Sequence, residues 1–95
     1  MTDEATIARE RIDRLQSMAR DAVCEGREDR AREYVRRARR IAERHRLRLP
    51  REFERSICRS CDTFLVPGRN ARVRTRSGHV VVTCECGSHA RYPYG

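Results

Sequence analysis

Two close pairs of cysteines in this sequence have the spacing of metal ligands. Cys58 and Cys61 form a C-x-x-C pair, and Cys84 and Cys86 form a C-x-C pair after 22 intervening residues. Four thiolates satisfy the borderline-soft Zn²⁺ ion, which they bind tetrahedrally. The spacing therefore predicts one structural Zn²⁺ in a zinc ribbon, with no open coordination position for a catalytic water.

Alternatives stay open at this site. Reduced cysteines that only pack together, or a metal other than zinc, would also account for the cluster. The second pair has one intervening residue instead of two, which tightens its turn, although Gly87 can relieve the strain. His89 is close enough in sequence to replace one thiolate. Cys24 is predicted to be a small buried residue without a reactive role.

Short strands are expected to position the two cysteine pairs. Residues 63–66, 71–76, 79–83 and 90–92 are rich in strand-forming side chains. Turn residues separate them at 67–70 and 77–78. This part of the chain is therefore predicted to be a small antiparallel ribbon.

The first half of the chain has the pattern of two helices. Apolar residues recur at steps of three and four, first from Ile7 and again from Ala31. Asp3 is expected to cap the first helix, Gly26 to end it in the left-handed conformation, and Pro50 to stop the second. So short a connection predicts an antiparallel helical hairpin.

The predicted fold is small α+β: an antiparallel helical hairpin (1–49), a linker (50–57) and a C-terminal zinc ribbon of short antiparallel strands (58–95). The helical stripes are largely alanine and bury little apolar area. Because such burial hardly offsets the entropy of ordering the chain, we expect a partner protein to cover the hairpin. The candidate partner-binding residues are Ile12, Leu15, Ala19, Tyr34, Ala38 and Ile41.

Charge indicates a polyanionic partner. The 95 residues include 22 arginines and no lysine against 14 acids, a net charge of +8. Segments 1–33, 34–55 and 56–95 carry net charges of −2, +6 and +4. This pattern favours nucleic acid, and RNA over DNA because no groove-reading motif is present, although a merely solvated helical face is the alternative. The candidate RNA-binding residues are Arg36, Arg37, Arg40, Arg44, Arg72, Arg74, Arg91 and Tyr92. For Tyr92, as for Tyr94, packing within the ribbon is an equal alternative.

Several classes of protein are not indicated by the sequence. It shows no paired-carboxylate, Ser-His-Asp or phosphate-loop signature, so we expect no enzymatic activity of the chain alone. No apolar run is long enough to cross a bilayer, and the N-terminus lacks a signal-peptide pattern. We therefore expect a cytoplasmic protein without membrane contact.

The motifs together resemble a known family. A helical hairpin is followed by C-x-x-C at 58–61, FLVPGRNARVR at 64–74, VVTC at 81–84 and RYPY at 91–94. This arrangement resembles archaeal ribonuclease P protein component 4, a family of zinc-ribbon subunits, and the resemblance covers nearly the whole chain. The family more often has two residues between the second pair of cysteines.

The resemblance implies a non-catalytic subunit of the ribonucleoprotein that removes the 5′ leader from precursor tRNA, with the cleavage performed by RNA. It implies contact with ribonuclease P RNA, indirect contact with precursor tRNA, and a heterodimer with ribonuclease P protein component 1 through the N-terminal helices. The alternatives are a zinc-ribbon RNA-binding module of a ribosomal or transcription-associated assembly, and a protein-interaction adaptor.

Overall fold

A computed structural model describes residues 3–93 of the chain. It contains three helices followed by a three-stranded sheet. The elements in chain order are α1 (Glu4–Cys24), α2 (Glu28–Arg44), α3 (Arg51–Arg55), β1 (Ala71–Arg76), β2 (His79–Cys84) and β3 (His89–Pro93). None of the helices described is long and apolar enough to span a membrane. The predicted small α+β fold is confirmed.

Helices α1 and α2 form the predicted hairpin. The carboxylate of Asp3 accepts a hydrogen bond from the Ala5 N–H at 3.3 Å, which caps α1 as expected. Gly26 adopts a φ of 78°, a left-handed conformation that costs glycine little. Three residues connect the helices, so α2 returns alongside α1.

The face between the two helices is built from small side chains. The residues buried along it include Ala8, Ile12, Leu15, Ala19, Ala22, Ala31, Val35, Ala38 and Ala42. Four residues that were predicted to meet a partner, Ile12, Leu15, Ala19 and Ala38, therefore lie in the chain's own core. Tyr34 and Ile41 are partly exposed at the edge of that core. The helical period identified the apolar stripe, but α2 and later residues of this chain cover most of it.

The segment predicted as a linker contributes to the same core. Pro50 precedes α3, and Phe53 within α3 is completely buried. The Phe53 ring lies 5.9 Å from the ring of Phe64, and Ile57 is buried beside them. The two large apolar side chains of residues 50–57 therefore pack the hairpin against the C-terminal part.

Three of the four predicted strands form an antiparallel sheet in the order β1-β2-β3. Strand β1 has the predicted bounds, β2 exceeds its prediction by one residue at its end, and β3 by one residue at each end. The prediction of a strand at 63–66 is wrong, since Phe64 makes only an isolated bridge to Ile57. The side chain of Asn70 occupies the backbone groups that a neighbouring strand would need: Oδ1 accepts from the Val66 N–H and Nδ2 donates to the Phe64 carbonyl, both at 2.8 Å.

Candidate metal centre and basic sheet surface

The four paired cysteines meet in one cluster. All four Sγ atoms lie within 4.8 Å of one another. The Sγ atoms of Cys58 and Cys86 are 3.5 Å apart, and those of Cys61 and Cys84 are 3.7 Å apart. A tetrahedral ion with Zn–S bonds of about 2.3 Å requires S···S separations of about 3.8 Å. The donor set therefore fits a tetrahedral thiolate-binding metal such as Zn²⁺.

Each cysteine pair lies in a turn closed by a residue with positive φ. The Asp62 N–H donates to the Cys58 carbonyl at 2.9 Å, with Asp62 at a φ of 63°. The Gly87 N–H donates to the Cys84 carbonyl at 2.9 Å, with Gly87 at a φ of 96°. Gly87 thus allows the shortened second pair to turn sharply enough for both of its thiols to reach the cluster.

The thiols differ in acidity. Burial acts to raise the pKa of Cys58, but hydrogen bonds from the backbone N–H groups of Cys61 and Ser60 lower this pKa to about 7. Burial raises the pKa of Cys84 and of Cys61. The neighbouring thiols add to this effect at Cys84, whereas at Cys61 the thiol of Cys58 raises the pKa and that of Cys84 opposes it. One thiolate therefore forms readily, and a bound cation would favour ionisation of the remaining thiols.

Helix α2 contacts Cys61 and the following residue, Asp62, through three arginines. The Arg32 Nε donates to the carbonyl of Cys61 at 3.0 Å. The carboxylate of Asp62 accepts from the Arg36 Nε at 3.3 Å and from the Arg39 Nη1 at 2.6 Å. Burial opposes ionisation of Asp62, but Arg39 and Arg36 lower the pKa of its carboxyl below the ordinary value. Arg36, a predicted RNA-binding residue, is thus engaged within the molecule.

The loop at 67–70 holds the ribbon against the start of α2. The Arg69 Nη1 donates to the carbonyl of Cys24, the last residue of α1, at 2.7 Å. The buried Asn70 donates from Nδ2 to both carboxylate oxygens of Glu28, and the hydroxyl of Thr63 also donates to Glu28. The sequence predicts only an ordinary turn at 67–70. The Asn at the end of Pro67-Gly-Arg-Asn70 is a local signal, but nothing near Glu28 indicates its partners.

One face of the sheet is covered by arginines. Side chains alternate along a strand, so Arg72, Arg74 and Arg76 share a face of β1. The register pairs Arg74 with Val81, and Val81 with Arg91, which places Arg91 on this same face. These four arginines, which we call the basic sheet face, are all exposed. Within residues 3–93 none of them forms an ion pair.

The other predicted RNA-binding residues are distributed elsewhere. Tyr92 points to the opposite face of β3 from Arg91, and the Arg55 guanidinium lies 4.9 Å from the centre of its ring. Arg37 forms an ion pair with Glu33 at 2.7 Å. Arg40 and Arg44 are exposed on α2, and no ion pair involves them in the described chain. Tyr94 lies outside the described residues.

An apolar groove runs along the outside of the hairpin. Its floor contains Leu15, Met18 and Ile41, and Met18 is 38% exposed. Four arginines surround it: Arg11, Arg14, Arg37 and Arg40. Of the six residues predicted to bind a partner, Leu15 and Ile41 line this groove.

These features define a class of protein, a small α+β protein with a four-cysteine ribbon, a helical hairpin and an arginine-covered sheet. A family described as “RNAse P Rpr2/Rpp21/SNM1 subunit domain” matches residues 11–87. The chain belongs to this family of ribonuclease P subunits.

Individual relatives agree with this assignment. The chain is 71% identical to ribonuclease P protein component 4 of Halobacterium salinarum, over 95% of this chain and 97% of the relative. It is 53% identical to the component of the same name from Methanocaldococcus jannaschii, over 92% and 71%. Among solved structures, a chain of the “cryo-EM structure of archaeal Ribonuclease P with mature tRNA” superposes with a TM-score of 0.90 at 49% identity, covering 98% of this chain and 81% of the other.

Proposed function

We propose that this chain is a non-catalytic protein subunit of ribonuclease P that assists RNA-catalysed removal of the 5′ leader from precursor tRNA by binding ribonuclease P RNA. The observation that carries the proposal is the basic sheet face, in a chain whose relative of 71% identity is named ribonuclease P protein component 4. Arginines bind phosphates bidentately, so exposed guanidinium groups without internal partners suit an RNA backbone.

We assign the RNA contacts to two groups of arginines. Arg72, Arg74 and Arg91 of the basic sheet face form the first group, and Arg76 extends it along β1. Arg40 and Arg44 of α2 form the second group, and Arg40 lies where this surface meets the rim of the apolar groove. Arg36 and Arg37 are weaker candidates, because RNA would compete with Asp62 and Glu33 for their guanidinium groups.

We assign one Zn²⁺ ion to Cys58, Cys61, Cys84 and Cys86, in a structural role. Zn²⁺ would supply a cross-link between the two ends of the ribbon. A site with four thiolate ligands keeps no coordination position for a reacting water, which supports a non-catalytic role for this chain. Cleavage then belongs to the RNA component, and precursor tRNA is an indirect partner.

We assign the apolar groove at Leu15, Met18 and Ile41 to a partner subunit, ribonuclease P protein component 1. The groove combines an exposed methionine with a rim of four arginines, which suits an apolar segment flanked by acidic side chains. Met18→Asp combined with Ile41→Asp should abolish a complex with purified component 1 in size-exclusion chromatography. The exposed neighbour Ser17→Asp is the charge-matched control for Met18→Asp and should leave the complex intact.

The test of the function is cleavage of precursor tRNA by ribonuclease P RNA and the other protein subunits at limiting Mg²⁺, with and without this chain. Addition of the zinc-loaded chain should raise the cleavage rate or lower the Mg²⁺ requirement. No effect from a zinc-loaded chain that binds component 1 would contradict the proposal and favour an RNA-binding module of a ribosomal or transcription-associated assembly.

A charge-matched pair of variants connects that result to the basic sheet face. The triple change of Arg72, Arg74 and Arg91 to alanine should remove most of the stimulation. A control variant changes three exposed arginines of the hairpin to alanine, Arg9, Arg20 and Arg30. It removes the same amount of charge and should retain the stimulation of cleavage. Equal loss in both variants would indicate a general effect of net charge rather than a specific surface.

A further inference from the structure

Asp62 contacts both the first cysteine turn and helix α2. It directly follows Cys61, and its N–H closes the first cysteine turn on the carbonyl of Cys58. Its carboxylate reaches α2, where it accepts hydrogen bonds from Arg36 and Arg39. The side chains of Asp62 and Arg39 are only 24% and 38% exposed, so water competes incompletely for this contact.

A second contact also joins α2 to the first cysteine turn. The Arg32 Nε donates to the carbonyl of Cys61, and another nitrogen of Arg32 pairs with Asp29. Three arginines on successive turns of α2 therefore hold this segment, Arg32 through the Cys61 carbonyl and Arg36 and Arg39 through the Asp62 carboxylate. These contacts attach the first cysteine turn to the helical hairpin.

We propose that Asp62 is a positioning residue for the metal centre, and that its contacts with Arg36 and Arg39 couple metal binding in the ribbon to the stability of the helical hairpin. We call this set of contacts, Asp62 with Arg36 and Arg39, the knuckle clamp. The inference rests on the metal site proposed above.

Charge gives the clamp a second role. Four thiolates around a divalent cation leave a net charge of −2, which is costly to hold at a half-buried site without compensation. Arg32 lies beside Cys61, and α2 brings Arg36 and Arg39 next to the following residue. The arginines of α2 therefore offset the charge of the loaded centre as well as orient its first cysteine pair.

The test compares metal affinity across variants of the full-length chain. Co²⁺ is titrated against a competing chelator, and binding is read from the visible absorption of a tetrahedral tetrathiolate complex. Asp62→Asn keeps the size of the side chain and tolerates the positive φ, but removes its charge. It should weaken Co²⁺ binding about tenfold, the scale at which outer contacts of metal ligands act.

Four further variants test whether the effect comes from the Asp62–Arg39 contact. Arg39→Ala should weaken binding to a similar extent, and adding it to Asp62→Asn should cost little more, because both changes remove the same contact. Arg39→Lys retains the charge and should recover most of the affinity. Arg37→Ala, which breaks an ion pair within α2 alone, is the matched control and should leave the affinity unchanged.

The coupling between metal binding and hairpin stability is measured in a separate experiment, from the thermal melting of the helices. Zn²⁺ should raise the melting temperature of the helical circular-dichroism signal in the wild-type chain, and by less in Asp62→Asn. Wild-type affinity and an undiminished melting shift in Asp62→Asn would overturn the clamp but leave the metal site standing. A wild-type chain that binds neither Co²⁺ nor Zn²⁺ would overturn both.

Discussion

The Nδ2 atom of Asn70 lies 3.2 Å from Oε1 of Glu28, which connects a buried loop side chain to the first turn of α2. The same amide group satisfies the N–H of Val66 and the carbonyl of Phe64. A single side chain thus holds the loop in shape and attaches it to the hairpin. Buried polar groups of this kind stabilise a fold only while every partner is present.

Replacing Asn70 with alanine should lower the free energy of unfolding by about 3 kcal/mol, because two buried backbone groups lose their partner. Chemical denaturation of the zinc-loaded chain measures this loss. Thr75→Ala, an exposed substitution on β1, should change the stability by less than about 0.5 kcal/mol. A loss of that small size at Asn70 would show that solvent replaces its hydrogen bonds.

Arg74→Ala and Arg91→Ala should each weaken binding to ribonuclease P RNA and reduce the slope of log K against log salt concentration by about one. The reason is that each lost phosphate contact leaves one fewer counterion to be released. Fluorescence anisotropy over a series of salt concentrations measures the slope. Arg20→Ala on α1 removes the same charge and should leave the salt slope at its wild-type value. Identical slopes in all three variants would argue against phosphate contacts on the sheet.

Tyr92→Leu should destabilise the protein by about 1 kcal/mol and leave the salt slope of RNA binding unchanged. Its ring packs under Arg55, on the face of the sheet opposite Arg91, and an exposed cation–π contact is worth about this much. Thermal unfolding and RNA titration of the same sample separate the two effects. Weaker RNA binding at unchanged stability would instead support base stacking by Tyr92.

Metal affinity should rise with pH between about 7 and 9, by at least about a hundredfold per unit. Binding requires thiolates, so it displaces protons from Cys61 and Cys84, whose pKa values are raised. Cys58 contributes a further proton once the pH falls below its pKa of about 7. The stability that the metal adds is therefore lost as the pH falls. Chelator competition across this range checks the prediction, and a flat profile would refute it.

The fold was predictable wherever a local period or a spacing specified it. The steps of three and four identify both helices, and the alternation in residues 71–76 identifies β1. The cysteine spacing identified a set of four thiols that the structure brings together. These patterns are repeated signals, so a single unusual residue does not hide them.

The remaining features depend on distant partners. Nothing near Arg36 distinguishes it from Arg40, yet Asp62 lies beside one and not the other. The segment at 63–66 has strand-forming residues, but Asn70 takes the hydrogen bonds that a strand would use. Phe53 gave no periodic signal because α3 has only five residues. Tertiary contacts decided each of these positions.

The position of the cysteine pairs along the chain affects the order in which the protein can mature during synthesis. Both helices of the hairpin precede Cys58, so the hairpin leaves the ribosome while the ribbon is still incomplete. Cys84 and Cys86 follow only after β1 and most of β2. A nascent chain therefore presents the arginines of α2 and the first two thiols before it can complete a four-thiol site. Under the proposed metal assignment, metal binding can be completed only after both helices have been synthesised, and a shortage of metal would leave the two cysteine pairs without a link between them.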